Sequence, residues 1–163
     1  LDMPPPARAA LDRVTAASQA QLVNTIAPIR TEPGGAAWRQ ATFHPFALTA
    51  RHAVGEVLRV AVDAPSYETA KYGDVPVLDA VATREPESGA VTVLVVNRST
   101  SEPVGAEVDL RSVPGLRVLE AVTLANPDHT WQATADDATS VLPRQNDTAQ
   151  LTDGTLTVEL PPV

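Results

Sequence analysis

Glu32 is the carboxylate whose place in the sequence best fits acid–base or nucleophilic chemistry. It follows the apolar run Thr25 to Ile29, which the pattern predicts to be a buried strand, and it precedes the turn signal Pro33-Gly34-Gly35. Enzymes built on β/α barrels carry catalytic carboxylates at the C-terminal ends of strands, just before such loops. A carboxylate that merely orders the glycine loop explains the same pattern, so both interpretations stay open.

Trp38 and the histidines are the other side chains that invite a functional interpretation. An exposed Trp38 could stack on a sugar ring, but packing in the core is the favoured interpretation. His44 and His52 are eight residues apart, which is too far for the i, i+4 pairing of helical zinc ligands. His129 lies far down the chain in a polar stretch. The sequence therefore predicts structural or surface histidines and no metal site.

Other short motifs carry little weight. There are no cysteines, so disulfides and thiolate sites are excluded. Neither a nucleophile elbow nor a phosphate-binding glycine loop occurs in the sequence. The stretches beginning at Asn97 and Asn146 match the glycosylation acceptor pattern, although ordinary asparagines are the favoured interpretation because this pattern is short and common. Asp136, Asp137 and Asp147 lack the spacing of an EF-hand and are interpreted as a solvated acidic loop.

Composition narrows the classes of partner. The chain has 163 residues, and its 44% hydrophobic content is enough for an ordinary globular core. The formal net charge is −8, which argues against a nucleic acid or an anionic membrane as partner because both require clustered Lys and Arg. No stretch approaches the ~20 apolar residues of a membrane span. The first residues also lack an apolar signal-peptide core, so a cytoplasmic location is expected.

The elements that would position these residues change in character near residue 54. Before it the hydrophobic period is helical, with a helix predicted over Ala7 to Val23 and a second over Ala36 to His52 that Pro45 should kink or restart. Together with the buried strand between them, they form the repeating unit of a parallel α/β fold. One such unit cannot close a sheet by itself.

After residue 54 the period is close to two, which predicts an antiparallel sandwich. The stretch from Asn126 to Asp147 lacks this pattern and is predicted to be a long loop. The predicted strands are Val57–Val62, Val77–Thr83, Val91–Asn97, Val104–Leu110, Leu116–Leu124 and Thr155–Leu160.

Three collinear stretches, AQLVNTIAPI, TEPGGAAWRQ and YGDVPVLDAVAT, carry a family resemblance. The chain resembles the C-terminal portion of α-L-arabinofuranosidases of glycoside hydrolase family 51, with mild departures at Arg30 and His44. The resemblance implies a mixed fold. Residues 1–54 would supply the last helix–strand–helix unit of a (β/α)₈ barrel. Residues 55–163 would form an antiparallel, jelly-roll-like β-sandwich whose final strand is missing.

The same resemblance implies a function for the complete protein. The family comprises retaining glycosidases that use two glutamates, found in G-N-E and D-E-W-N motifs. Neither string occurs in this sequence, so no catalytic residue is assigned to it and no metal or organic cofactor is expected. Gln21, within AQLVN, matches a glutamine that contacts arabinose in the family. A backbone cap at a helix end is the alternative for Gln21.

The expected partners follow from this reading. They are an arabinofuranoside substrate bound through the complete enzyme, an upstream barrel polypeptide and further copies in a homo-oligomer. The rival function is a non-catalytic β-sandwich module that binds carbohydrate or protein, and a third possibility is a purely structural or assembly domain. A carbohydrate-binding module usually presents a platform of aromatic side chains. After residue 54 the sequence has only Tyr67, Tyr72 and Trp131, which disfavours that rival.

Overall fold

A computed structural model describes residues 18–162, and these consist mainly of antiparallel β-strands with one α-helix. In chain order the elements are β1 (Ile29–Thr31), β2 (Ala37–Arg39), α1 (Phe43–His52), β3 (Glu56–Leu58), β4 (Ser66–Thr69), β5 (Gly73–Pro76), β6 (Leu78–Arg84), β7 (Val91–Asn97), β8 (Val104–Asp109), β9 (Val122–Thr123), β10 (Arg144–Gln145), β11 (Gln150–Thr152) and β12 (Thr155–Leu160).

Two three-stranded antiparallel sheets form the main part of the described chain. One has the order β3-β6-β7 and the other the order β11-β12-β8. Their strands combine β-branched residues with alternating polar positions, as is usual where one face of a sheet is covered. This arrangement is consistent with a C-terminal β-sandwich domain, and the predicted strands β7 and β12 are confirmed with the predicted bounds.

Asn97, at the end of β7, links the two sheets. It is only 5% exposed, and its side-chain amide nitrogen donates to the backbone carbonyls of Leu160 (3.2 Å) and Pro161 (3.0 Å) at the end of β12. The same nitrogen lies 3.2 Å from the carbonyl of Glu102, and its Oδ1 accepts the N–H of Ser99 at 2.9 Å. A buried amide with all these partners fixes one sheet against the other.

The described residues bury few large side chains. The most buried apolar residues are mostly small, and no side chain in the described range is less than 2% exposed. Val57, Val81 and Val96 share one face of the β3-β6-β7 sheet by register, and they are 55%, 45% and 54% exposed. The buried apolar residues are Ala27, Ala82, Ala106, Ala133 and Val141.

The first third of the described chain differs from the sequence prediction. The predicted strand Thr25–Ile29 is mostly a turn, and the strand begins only at Ile29. The predicted helix Ala36–His52 is wrong over its first part, since Ala37–Arg39 pairs antiparallel with β1. Alanine, arginine and glutamine favour helix locally, but the hairpin supplies backbone partners that override this preference.

Pro45 does not kink the helix, because α1 begins at Phe43 and Pro45 is its third residue. The first-turn N–H groups of a helix have no intrahelical partner, so the missing proline N–H is tolerated there. Of the predicted helix Ala7–Val23, residues 7–17 lie outside the described residues. Residues 18–23 are described and are not helical.

The helix–strand–helix unit of a barrel is therefore not seen in the described residues. The parallel pairing found there is a single bridge between Val23 and Ile29. A parallel barrel strand needs parallel neighbours on both sides, whereas the neighbours of β1 in the described residues are the antiparallel strand β2 and the single bridge to Val23.

The sandwich predictions need smaller corrections. The predicted strand Leu116–Leu124 shortens to Val122–Thr123, and Val57–Val62 shortens to Glu56–Leu58. The hairpin of β4 and β5 and the strands β10 and β11 were not predicted. The last strand, β12, is central because it pairs with β8 on one side and β11 on the other. That a further strand completes the sandwich stays a prediction.

Candidate functional site

Gln21 lies in an irregular exposed segment just before the β1–β2 hairpin. Its backbone is left-handed, with φ 57°, and its side chain makes no hydrogen bond to the described residues. A non-glycine residue with positive φ is uncommon and costs about 1–2 kcal/mol. Residues 18–23 are not helical, so Gln21 does not lie within a helix of the described residues.

Asn24 organises the loop that follows Gln21. Its backbone N–H donates to the carbonyl of Ile29 at 2.8 Å, and its carbonyl accepts the N–H of Ala27 at 2.8 Å. Its side chain reaches Thr31, accepting the backbone N–H at 2.8 Å and donating from Nδ2 to the hydroxyl oxygen at 3.0 Å. Residues 24–31 are thereby closed into a small loop. The sequence analysis missed this residue, although asparagine is a residue that tolerates positive φ and bonds to nearby backbone.

Glu32 lies at the tip of the hairpin formed by β1 and β2, and it is exposed. Its backbone carbonyl accepts the N–H of Gly35 at 3.0 Å. The side chain lies over Gly35, since a Cβ built on that glycine would be 3.1 Å from the Cβ of Glu32 and 3.3 Å from its Oε2. This contact fits the loop-ordering interpretation of Glu32.

Trp38 packs rather than standing free on the surface. It is half-buried, and its indole Nε1 donates to the backbone carbonyl of Ala133 at 2.9 Å. Gln40 donates from Nε2 to the same carbonyl at 3.1 Å. The hairpin is thus joined to the long loop 126–147, which agrees with the packing interpretation of Trp38.

The histidines have separate surroundings. His44 is buried in the first turn of α1, and its Nε2 has no hydrogen-bond partner among the described residues. Burial, and then the positive charge of Arg39, lower the pKa of His44 below its usual 6.5. His52 lies 3.7 Å from Glu120, and its backbone carbonyl accepts the hydroxyl of Thr92 at 2.8 Å. In residues 18–162 no cluster of three or more His, Cys, Asp or Glu could hold a metal ion.

The asparagines of the two acceptor patterns have engaged side chains. The Asn97 amide is buried as described above. The Nδ2 of Asn146 donates to Thr123 and to the carbonyl of Glu159, both at 2.9 Å. A side-chain nitrogen occupied in this way is poorly placed for glycosylation, as the sequence interpretation anticipated.

The acidic loop is held by local hydrogen bonds. Hydrogen bonding to Ser140, and then to Trp131, lowers the pKa of Asp137. A hydrogen bond from Thr130 is the largest cause of the lowered pKa of Asp128. These bonds stabilise the carboxylates in place, which fits a structured surface loop. The helix in the described range falls short of the length and hydrophobicity that a membrane crossing demands.

Comparison with known proteins places these features in a family. The profile of the α-L-arabinofuranosidase C-terminal domain matches residues 8–163. The chain is 46% identical over 152 residues to an intracellular exo-α-(1→5)-L-arabinofuranosidase of Streptomyces lividans. It is 47% identical over 155 residues to an exo-α-(1→6)-L-arabinofuranosidase of Bifidobacterium longum. These alignments cover 93% of this chain and 23% and 30% of the two relatives.

A solved structure agrees with this assignment. A family 51 α-L-arabinofuranosidase from Bifidobacterium longum superposes with a TM-score of 0.86 at 42% sequence identity, covering 93% of this chain and 30% of that one. The antiparallel sheets and the sequence match together define a domain of the kind found at the C-terminus of α-L-arabinofuranosidases. The chain belongs to the family of α-L-arabinofuranosidase C-terminal domains and spans less than a third of the length of these relatives.

Proposed function

We propose that the complete protein to which this chain contributes is a retaining, exo-acting glycosidase. It would release terminal α-L-arabinofuranosyl groups from arabinoxylan or arabinan oligosaccharides. The observation that carries this proposal is the match of the C-terminal domain profile over residues 8–163. Identities of 46% and 47% to enzymes named as exo-α-L-arabinofuranosidases support it.

The relative named for (1→5) linkages and the relative named for (1→6) linkages are almost equally similar to this chain. We therefore propose only the terminal sugar that is released, and we expect the preference for one linkage to be set by parts of the enzyme outside these 163 residues.

We also propose that residues 1–54 end the catalytic barrel and that residues 55–163 form the sandwich beside it. Exposed apolar side chains support a large covering partner. Leu22 and Ile26 are 73% and 64% exposed next to the β1–β2 hairpin, and the valine face of the β3-β6-β7 sheet is about half exposed. Large apolar side chains left exposed in this way are often covered by a partner surface. The upstream barrel polypeptide is the expected partner.

Gln21 is the proposed sugar-binding residue of this chain. Three properties support the role: the side chain is exposed, it has no hydrogen-bond partner among the described residues, and its backbone is held in a left-handed conformation. Strained residues cluster at functional sites, where the surrounding structure maintains them. A side-chain amide can both donate to and accept from sugar hydroxyls.

A cytoplasmic location and a homo-oligomeric assembly are also proposed for the complete protein. The name of the Streptomyces lividans relative describes it as intracellular, which supports a cytoplasmic location for this protein. A homo-oligomer follows from the family resemblance. A free-standing carbohydrate-binding module is disfavoured, because its aromatic platform would have to come from Tyr67, Tyr72 and Trp131, and the indole N–H of Trp131 is already bonded to Asp137 at 3.2 Å.

Hydrolysis of an aryl α-L-arabinofuranoside by the complete protein tests the proposed function. Turnover should give the sugar product with retained anomeric configuration, observed by NMR at early times. An aryl β-D-xylopyranoside is the specificity control and should react far more slowly. The 163-residue chain alone should be inactive. Turnover by that chain, or inversion by the complete protein, would contradict the proposal.

Gln21→Ala in the complete enzyme tests the sugar contact. Loss of one neutral hydrogen bond should lower kcat/KM about three- to tenfold. The melting temperature should stay within about 1 °C, because the side chain makes no hydrogen bond to the described residues. Unchanged kcat/KM together with a melting temperature several degrees lower would show that Gln21 is structural.

A further inference from the structure

We propose that Asn24 is a positioning residue of the arabinose site, acting through its side-chain bonds to Thr31 to fix the backbone that presents Gln21. This inference rests on the sugar contact proposed for Gln21. It adds a residue that need not touch the substrate and explains how an exposed, irregular segment can hold a side chain accurately enough to bind.

The side chain of Asn24 closes the loop from both of its polar ends. Oδ1 accepts the backbone N–H of Thr31 at 2.8 Å, and Nδ2 donates to the Thr31 hydroxyl oxygen at 3.0 Å. The partners are seven residues apart, so this pair spans a whole loop and not a single turn. We call this pair the Asn24–Thr31 clamp.

The backbone of Asn24 is fixed as well. Its N–H donates to the carbonyl of Ile29, and the preceding residue, Val23, forms a parallel bridge with Ile29. Ala27 and Pro28, inside the loop, are buried. The chain is therefore anchored two residues after Gln21, and the anchor is attached to strand β1.

The clamp coincides with a run of unusual backbone conformations. Gln21, Asn24 and Thr25 have φ values of 57°, 62° and 51°. Asparagine adopts this region comparatively easily, whereas a β-branched threonine is a genuine outlier. Such conformations persist only where neighbouring bonds enforce them, and the clamp supplies such bonds at Asn24, three residues after Gln21. Without it, the segment would relax toward ordinary φ and move the Gln21 side chain.

Kinetics of the complete enzyme with an aryl α-L-arabinofuranoside test the clamp. Asn24→Ala should lower kcat/KM about three- to tenfold, as the displaced amide of Gln21 loses its bond in the transition state. Asn24→Asp should restore activity to within about twofold of wild type. One carboxylate oxygen still accepts the Thr31 N–H, and the Thr31 hydroxyl can donate to the other.

A double-mutant cycle separates positioning from general support. In a Gln21→Ala background, Asn24→Ala should lower kcat/KM by less than about twofold, because the group that it positions is already gone. Asn146→Ala is the matched control. It also removes an asparagine bonded to a threonine, here Thr148 at 3.0 Å and 2.6 Å, but it lies in the sandwich. It should lower the melting temperature and leave kcat/KM unchanged.

The outcomes distinguish this inference from the function on which it rests. Additive effects of Gln21→Ala and Asn24→Ala on kcat/KM, or a fall in melting temperature alone, would overturn the clamp as a positioning device. A Gln21→Ala variant that matches wild type in kcat/KM would overturn the sugar contact and the clamp together. Absence of turnover by the wild-type enzyme would reject the proposed function itself. If Asn24→Ala does not fold, Thr31→Val removes only the hydroxyl half of the clamp and should lower kcat/KM about two- to threefold.

Discussion

Asn97 should contribute more to the stability of the sandwich than any single exposed polar residue in the described range. Replacing it by alanine removes the hydrogen-bond donor of the Leu160 and Pro161 carbonyls and the acceptor of the Ser99 N–H. Each buried polar group left without a partner costs about 1–3 kcal/mol. Leu160, Pro161 and Ser99 are only half-buried. Water can therefore form hydrogen bonds to some of the carbonyl and N–H groups that lose their partner in Asn97→Ala. The expected loss is therefore about 2–4 kcal/mol in the free energy of unfolding, below the simple sum.

Comparing the stabilities of Asn97→Ala and Asn97→Asp tests this reasoning further. Asn97→Asp keeps the acceptor for the Ser99 N–H but directs a carboxylate oxygen at the carbonyls of Glu102, Leu160 and Pro161. The negative carboxylate oxygen then faces the partly negative carbonyl oxygens, at a residue that is only 5% exposed. Asn97→Asp should therefore be less stable than Asn97→Ala, although it is the smaller chemical change.

Urea unfolding of the complete enzyme, followed by circular dichroism, measures these differences. Asn126→Ala is the matched control, because the Oδ1 of Asn126 makes one exposed bond to the N–H of Asp128 at 3.2 Å. That control should lose less than about 0.5 kcal/mol. The reasoning would be refuted by a loss for Asn97→Ala no larger than the control, or by an Asn97→Asp variant as stable as wild type.

Two further predictions concern a glycine and a histidine. Gly55→Ala should destabilise the enzyme by about 2–4 kcal/mol, since Gly55 has φ 84° and a Cβ there would collide with the Arg84 carbonyl oxygen. Gly73→Ala, with φ 66° and no atom within 4 Å of the added Cβ, should lose only about 1–2 kcal/mol in the same urea unfolding assay. Equal losses for the two variants would contradict the steric argument. Burial lowers the pKa of His44 below 6.5, so its contribution to stability should be fully present above that pH and be lost as the pH falls from 6.5 to the folded-state pKa. His44→Phe should therefore flatten the dependence of melting temperature on pH between about 7.5 and 5, and an unchanged slope would show that other groups dominate it.

The sequence was most reliable where structure follows from a local pattern. The alternation in Thr155–Leu160 and the apolar run Val91–Asn97 predicted strands with the bounds observed, because both patterns lie within a few neighbouring residues. Prediction failed where pairing with another strand, and not the pattern of the segment itself, decided the outcome. The stretch around Trp38 has helix-forming neighbours but becomes strand β2 through pairing with β1. The short strands β10 and β11 carry little pattern of their own and are defined by their partners.

By itself, the sequence determined the family and the presence of antiparallel β-strands, since both are encoded in collinear motifs and hydrophobic period. Only the tertiary structure decided which polar side chains hold the parts together. The bonds from Trp38 to Ala133 and from Asn97 to Pro161 join residues 95 and 64 positions apart. Spacing in the sequence does not encode such contacts. They arise when folding brings a buried donor to a backbone carbonyl that would otherwise lose its hydrogen bond to water.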